Sequence, residues 1–233
     1  MSAVASSPAA GRRPAPRNRV QRLLTSSIGL KLIMAFSGVL LSLFALGHML
    51  GNLQAFQGAE ALDDYGKLLR KEPALLWTAR IGLLVLVGLH IYGYLALTRR
   101  NGTARPQGYR KRTWRESSYA SRSMTLTGPL LLAFIIFHLL HLTTGTVHPN
   151  FEEGAVYHNV VTGLKGVTGL IYIAAMAMLA FHLWHGVWSM LLTLGLPEGR
   201  YRSLGRRGAT LFTAVVVLGF AVIPFAVLTG LIK

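Results

Sequence analysis

The sequence predicts an all-α, polytopic membrane protein with five transmembrane helices in a bundle. Composition, apolar run lengths and the placement of cations predict the membrane class. The chain has 233 residues, of which 52% are hydrophobic and 14% charged. With a positive mean hydropathy of +0.45, it is too apolar for an ordinary soluble domain of this size. A hydrocarbon layer of about 30 Å needs roughly 20 residues of helix. Five runs meet that length: Ile28–Leu50, Leu75–Thr98, Met124–Thr144, Gly166–Leu196 and Leu211–Leu231. Because five is odd, the two ends of the bundle face opposite sides.

The cations orient it. Of 24 Lys and Arg residues, 18 lie around the N-terminus up to Lys31, between the second and third runs, or before the fifth, among them Arg19, Lys31, Arg99, Arg100, Arg122, Arg202, Arg206 and Arg207. The opposite face carries six cations and most of the acids. By the positive-inside rule the N-terminus is cytoplasmic and the C-terminus outside. A net charge of +16 flanking membrane segments suits anionic lipid head groups and an acidic partner surface rather than nucleic acid.

The chain has no cysteine, which excludes protein-bound iron–sulfur clusters, covalently attached haem and disulfides within it. No strand pattern precedes a glycine-rich loop, so nucleotides and flavin belong elsewhere. Gly163, Gly166 and Gly169, spaced by threes, read as helix packing.

In chain order, residues 1–18 are rich in Ala, Ser, Pro and Arg without an acid, and are expected to form a disordered basic tail; a transit peptide has a similar bias. Residues 19–233 form the membrane domain. The first helix places His48 17 residues beyond Lys31, roughly 26 Å toward the outside. In the following connection Leu62, Tyr65, Leu68 and Leu69 recur at helical spacing, which predicts an amphipathic surface helix. The second helix carries His90, nine residues before Arg99 and so about 14 Å from the inner flank. The third carries His138 and His141, 16 and 19 residues beyond Arg122, roughly 24 and 29 Å outward. His148 and His158 fall in the next connection and are expected to be solvated or interfacial. The fourth run, 31 residues long, carries His182 and His185; its excess length leaves their depth open. The fifth has neither histidine nor charge.

Histidine on four consecutive membrane helices, at two depths, predicts metal chemistry. Neutral imidazole is a standard axial haem ligand, and two from different helices clamp one iron from opposite faces. His48 shares the outer level with the third helix, which leaves His90 to pair with the fourth. Gly38, Gly47, Gly51, Gly88, Gly93 and Gly128 would admit a flat macrocycle or pack helices. His138-Leu-Leu-His141 and His182-Leu-Trp-His185 also raise a non-haem di-iron hydroxylase, since that spacing puts two imidazoles on one helix face. Adjacent-histidine boxes and an intramembrane carboxylate are missing from that reading. A proton-relaying transporter lacks an inverted repeat and an intramembrane acid.

Four stretches carry a family resemblance: His48 through Gly58, Ala104-Arg-Pro-Gln-Gly-Tyr, Met124 through Gly128 to Phe137-His138, and His182-Leu-Trp-His-Gly-Val-Trp-Ser. Together they resemble the di-haem cytochrome b membrane anchor of succinate:quinone oxidoreductases, the five-helix single-anchor type, over roughly residues 25–230. A histidine-rich di-haem cytochrome of another dehydrogenase is the neighbouring alternative. The resemblance implies an inner haem on His90 and His182 and an outer haem on His48 and His138. It also implies a flavoprotein with FAD and a three-cluster iron–sulfur protein on the cytoplasmic face of a bacterial inner membrane. Electrons would reach quinone, commonly menaquinone, in a complex that can form homo-oligomers. By the family pattern His182 is favoured over His185 and His138 over His141. His141, His185, Arg80 and Arg122 are candidates to bond haem propionates, although arginines at helix ends also snorkel. For quinone protons the acids after His48, namely Glu60, Asp63 and Asp64, are candidates; a site beside the inner haem, near Ser26, Ser27 and Lys31, is equally open.

Overall fold

A computed structural model describes residues 18, 21, 25–104, 119–196 and 199–233. All but Asn18 of the expected tail, and the Arg105–Tyr109 motif, lie outside the described residues. The described chain is helical, with five helices long and apolar enough to cross a membrane. α1 spans Ser27–Asn52, α3 Pro73–Thr103, α4 Tyr119–His138, α6 Gly166–Thr193 and α7 Arg202–Leu228; two shorter helices, α2 (Ala59–Arg70) and α5 (Val156–Gly163), join them at one end.

Local chemistry sets the boundaries. Ser26 caps α1 by accepting the Gly29 amide at 2.9 Å, satisfying one of the donors a helix start leaves over. Pro73 opens α3, where its missing amide costs nothing. Between α5 and α6 the chain reverses at Gly166, whose φ of +58° is left-handed backbone that glycine adopts without a Cβ clash. α7 begins at Arg202, nine residues before the apolar run suggests. Arg202, Arg206 and Arg207 therefore belong to this helix, because hydropathy marks the lipid-buried part and α-helical bonding continues into the interface. α5 is an addition to the sequence reading, in which the third and fourth membrane helices were joined by a plain connection.

α1 packs against α3, α6 and α7, and α6 against α1, α4 and α7. Neither α1 with α4 nor α3 with α6 forms a packed interface, so clefts run between those pairs. Large apolar side chains such as Phe36, Leu84 and Leu218 face outward, as lipid contact allows. At the start of α1, Arg100 of α3 donates to Ser27 Oγ at 3.5 Å, which marks the arginine-rich end. At the distal end Ala55, Leu62, Val160, Val161, Leu164, Ile223, Ala226 and Val227 form a water-soluble-type core. Its polar seams are satisfied: Asp63 on α2 accepts the Tyr157 amide at 2.8 Å, capping α5 from another helix.

Candidate functional site: two histidine pairs

Each cleft is bridged by a histidine pair. His48, near the end of α1, and His138, at the end of α4, have ring centres 5.9 Å apart with planes at 82°. His90 of α3 and His182 of α6 have ring centres 6.2 Å apart with planes at 53°. The first pair lies toward the distal end and the second toward the arginine-rich end. Imidazole binds first-row metals at about 2.0–2.1 Å; adding roughly 1.1 Å from ring centre to nitrogen on each side, two rings sharing one ion stand roughly 6.2 Å apart. Both pairs fit that spacing.

The walls are apolar and aromatic. Phe44 stacks on His48 at 5.4 Å, Phe220 of α7 lies 5.8 Å from it, and Phe134 lies 6.0 Å from His138. At the other pair, a Cβ on Gly38 would come within 3.3 Å of His90 Cε1 and one on Gly128 within 4.0 Å of His182 Cε1. Gly38 therefore gives the His90 ring its room, whereas a Cβ at position 128 would make only an ordinary contact with His182. Gly51 and Gly93 are different: Tyr65 fills the first, and Met34 with the Leu30 carbonyl the second, so both serve helix packing. Two buried polar atoms at the pair near the arginine-rich end, Thr127 Oγ1 and His182 Nδ1, have no hydrogen-bond partner.

Hydrogen bonds fix some ring tautomers. Ser37, fully buried, donates its hydroxyl to the Ile33 carbonyl at 2.8 Å, so its lone pairs are left to accept from His90 Nδ1 at 3.2 Å. That places the His90 proton on Nδ1 and the lone pair on Nε2. At the distal pair, the Tyr172 hydroxyl lies 3.3 Å from His138 Nδ1. Asn52 Nδ2 reaches both nitrogens of His48 at 3.4 Å, while donating to the His48 carbonyl at 2.7 Å.

The other candidates lie around these pairs. After His138 the helix widens into a π turn, Leu139–Thr143, closed by a 3.0 Å bond from the Thr144 amide to the Leu139 carbonyl; such turns often mark functional sites. His141 on this turn is buried, bonds Tyr172 at 3.0 Å and lies 4.8 Å from the His148 ring. His148 itself is only 6% exposed, contrary to the solvated or interfacial position expected for it; the chain folds the 145–151 loop back over the π turn, and Gly163 makes room. His158 is near the surface beside Glu152 at 3.4 Å. His185 is half-buried one turn from His182. Arg80 is exposed over the Trp77 ring at 5.1 Å, and Arg122 stands over Tyr119 at 4.3 Å. On α2, Asp63 caps α5, Asp64 holds Lys67 at 2.8 Å, and Glu60 is exposed in the first turn. The Asp64 hydrogen bond raises the Lys67 pKa.

Among the described residues no three His, Asp or Glu side chains converge on one point. Two pairs of half-buried imidazoles each span two membrane helices, so the class defined here is a multi-pass membrane protein with paired intramembrane histidines. The family model for the succinate dehydrogenase/fumarate reductase transmembrane subunit matches residues 99–223, more than half of the chain, and the chain belongs to that family. It is a membrane subunit of this oxidoreductase complex. The matched stretch contains His138 and His182 but begins after His48 and His90. No curated protein and no solved structure matches the chain.

Proposed function

We propose that this chain is the di-haem anchor of a succinate:quinone oxidoreductase, with His48 and His138 holding one b haem and His90 and His182 the other. The observation that carries the reading is the pair of ring separations, 5.9 and 6.2 Å, across two clefts where the helices do not pack. The family is a haem b-binding one, and four imidazoles with no nearby carboxylate suit iron porphyrin better than a di-iron centre. When bound, the two haems supply one-electron transfer between the soluble subunits and quinone. The chain supplies four neutral nitrogen ligands, second-nitrogen partners for His90 and His138 in Ser37 and Tyr172, and an apolar sheath that excludes water.

The arginine-rich end is the cytoplasmic one in this reading. It receives an iron–sulfur subunit carrying three clusters and, through it, a flavoprotein with FAD and the dicarboxylate site, in a bacterial inner membrane. Residues 19–233 form the membrane domain, behind a basic tail of residues 1–18. His141, His185, Arg80 and Arg122 stand as propionate partners, of which Arg122 and His185 are the half-buried ones. Quinone, of the menaquinone class, is reduced at the distal end. Of the acids on α2, Asp63 and Asp64 are engaged in a cap and an ion pair, so proton delivery falls to Glu60. The same parts serve succinate oxidation and fumarate reduction. Expression with its neighbours in a membrane and affinity purification test the whole: the chain is expected to bring down a flavin- and cluster-containing pair and to show a dithionite-reduced b-type α-band. A colourless preparation, or one holding zinc or non-haem iron, contradicts it.

A further inference from the structure

Tyr172 joins the distal histidine pair to a second, buried pair, His141 and His148, of which the haem reading uses His141 alone, as a propionate partner. Its hydroxyl lies 3.3 Å from His138 Nδ1 and 3.0 Å from His141 Nδ1. A tyrosine hydroxyl has one proton to donate and accepts through its oxygen, and a neutral imidazole has one N–H. Two neutral imidazoles and one hydroxyl can bond in series in only two directions. If His141 donates to Tyr172 and Tyr172 to His138, the His138 proton sits on Nε2 and that nitrogen cannot bind iron. Ligation therefore requires His138 Nδ1–H to donate to Tyr172 Oη, and the hydroxyl proton is placed only if it goes on to His141 Nδ1, the other group that Tyr172 Oη bonds.

His141 is built to stay where that chain needs it. Its ring stacks on Phe137 at 5.2 Å with planes 11° apart and packs on His148 at 4.8 Å. A Cβ at position 163 would come within 2.6 Å of His148 Nε2 and 2.8 Å of His141 Cε1, so only glycine lets both imidazoles lie there. His148 Nε2 is in turn 3.4 Å from Thr162 Oγ1. The other three members of the two pairs have no comparable chain: His90 meets a serine hydroxyl and the Met34 backbone, His48 an amide nitrogen, and His182 Nδ1 nothing.

We propose that Tyr172, held in orientation by His141, is the positioning residue that sets the reduction potential of the distal iron. The inference rests on the di-haem reading above. Accepting the Nδ1 proton gives the imidazole partial imidazolate character and makes it a stronger donor to iron. Donation onward to His141 polarises the hydroxyl and strengthens that acceptance. A more basic ligand favours the ferric state, so the chain lowers the potential of one haem and leaves the other unaffected.

The test is a spectroscopic redox titration of the whole purified complex. Tyr172→Phe, which removes one oxygen and keeps the ring, is expected to retain two haems, to raise the midpoint of one b component and to leave the other unchanged. His141→Phe keeps the stack on Phe137 and the Tyr172 ring; it is expected to raise the same midpoint by less, and serves also if Tyr172→Phe fails to assemble. In a His48→Ala background, where only the inner haem remains, Tyr172→Phe is expected to leave the surviving midpoint in place. Two unchanged midpoints in both single variants overturn the inference, as does a shift in the haem that survives His48→Ala. A wild-type complex without two b haems overturns the underlying reading instead.

Discussion

Ser37 and His90 show what a single small side chain contributes. The serine is fully buried and bonded both to its own helix and to a ring on another helix. Replacing Ser37 with Ala removes this side-chain partner of His90 and leaves the ring its bond to the Met34 backbone, at a cost of about 0.5–1.5 kcal/mol for the lost hydrogen bond. Loss of such a partner typically weakens a ligated group about 10- to 100-fold. Ser37→Ala is therefore expected to lose one haem preferentially when the detergent-solubilised complex is challenged with a haem acceptor, with the other retained; equal retention of both contradicts the role. At this scale the histidines of the apolar runs were legible, because an imidazole there stands out, and counts from the flanking cations gave a depth to His48, His90 and the third helix; preferring His138 to His141 and His182 to His185 took the family resemblance. Their partners were not legible. Tyr172 lies 34 residues from His138 and Ser37 53 from His90, and neither residue type is unusual in a membrane helix. His148 was misread for a related reason: loop polarity suggests exposure, and only the fold-back onto the π turn buries it.

Among the elements, α2 was legible and α5 was not. The spacing of Leu62, Tyr65, Leu68 and Leu69 is helical over a polar background, and the helix forms over Ala59–Arg70. α5 has eight residues, too short to reveal a period, and its start depends on a cap donated from α2. Asp63→Ala removes that cap. Helix-cap losses typically cost about 0.5–2 kcal/mol, so the variant complex is expected to unfold at a lower temperature while its haem content and absorption spectrum stay as in the wild type. A spectral change would instead tie Asp63 to the haem or quinone chemistry. The π turn after His138 was also beyond the sequence. His138-Leu-Leu-His141 reads as two imidazoles on one helix face, and across the wider turn both meet one tyrosine hydroxyl.

At the scale of the whole molecule, five alternating spans carry cations at one end and a small packed cap, built from α2, α5 and the ends of α6 and α7, at the other. Apolar run length and the asymmetric placement of cations were enough for the span count, since both follow from the bilayer itself. The arrangement of spans was not, because lipid-facing and buried surfaces are equally apolar and leave no periodic mark; only the histidine depths hinted at neighbours. The docking account gives a test here: charge reversal at Arg99 and Arg100 is expected to reduce copurification of the soluble subunits and leave two haems in the membrane fraction.

The central claim is that two histidine pairs each hold one b haem. The most direct measurement is haem per polypeptide, by pyridine haemochrome, in the wild-type complex and in His48→Ala. The account predicts two haems falling to one, with the remaining α-band and midpoint those of the inner site. Two haems in the variant, or none in the wild type, contradicts it.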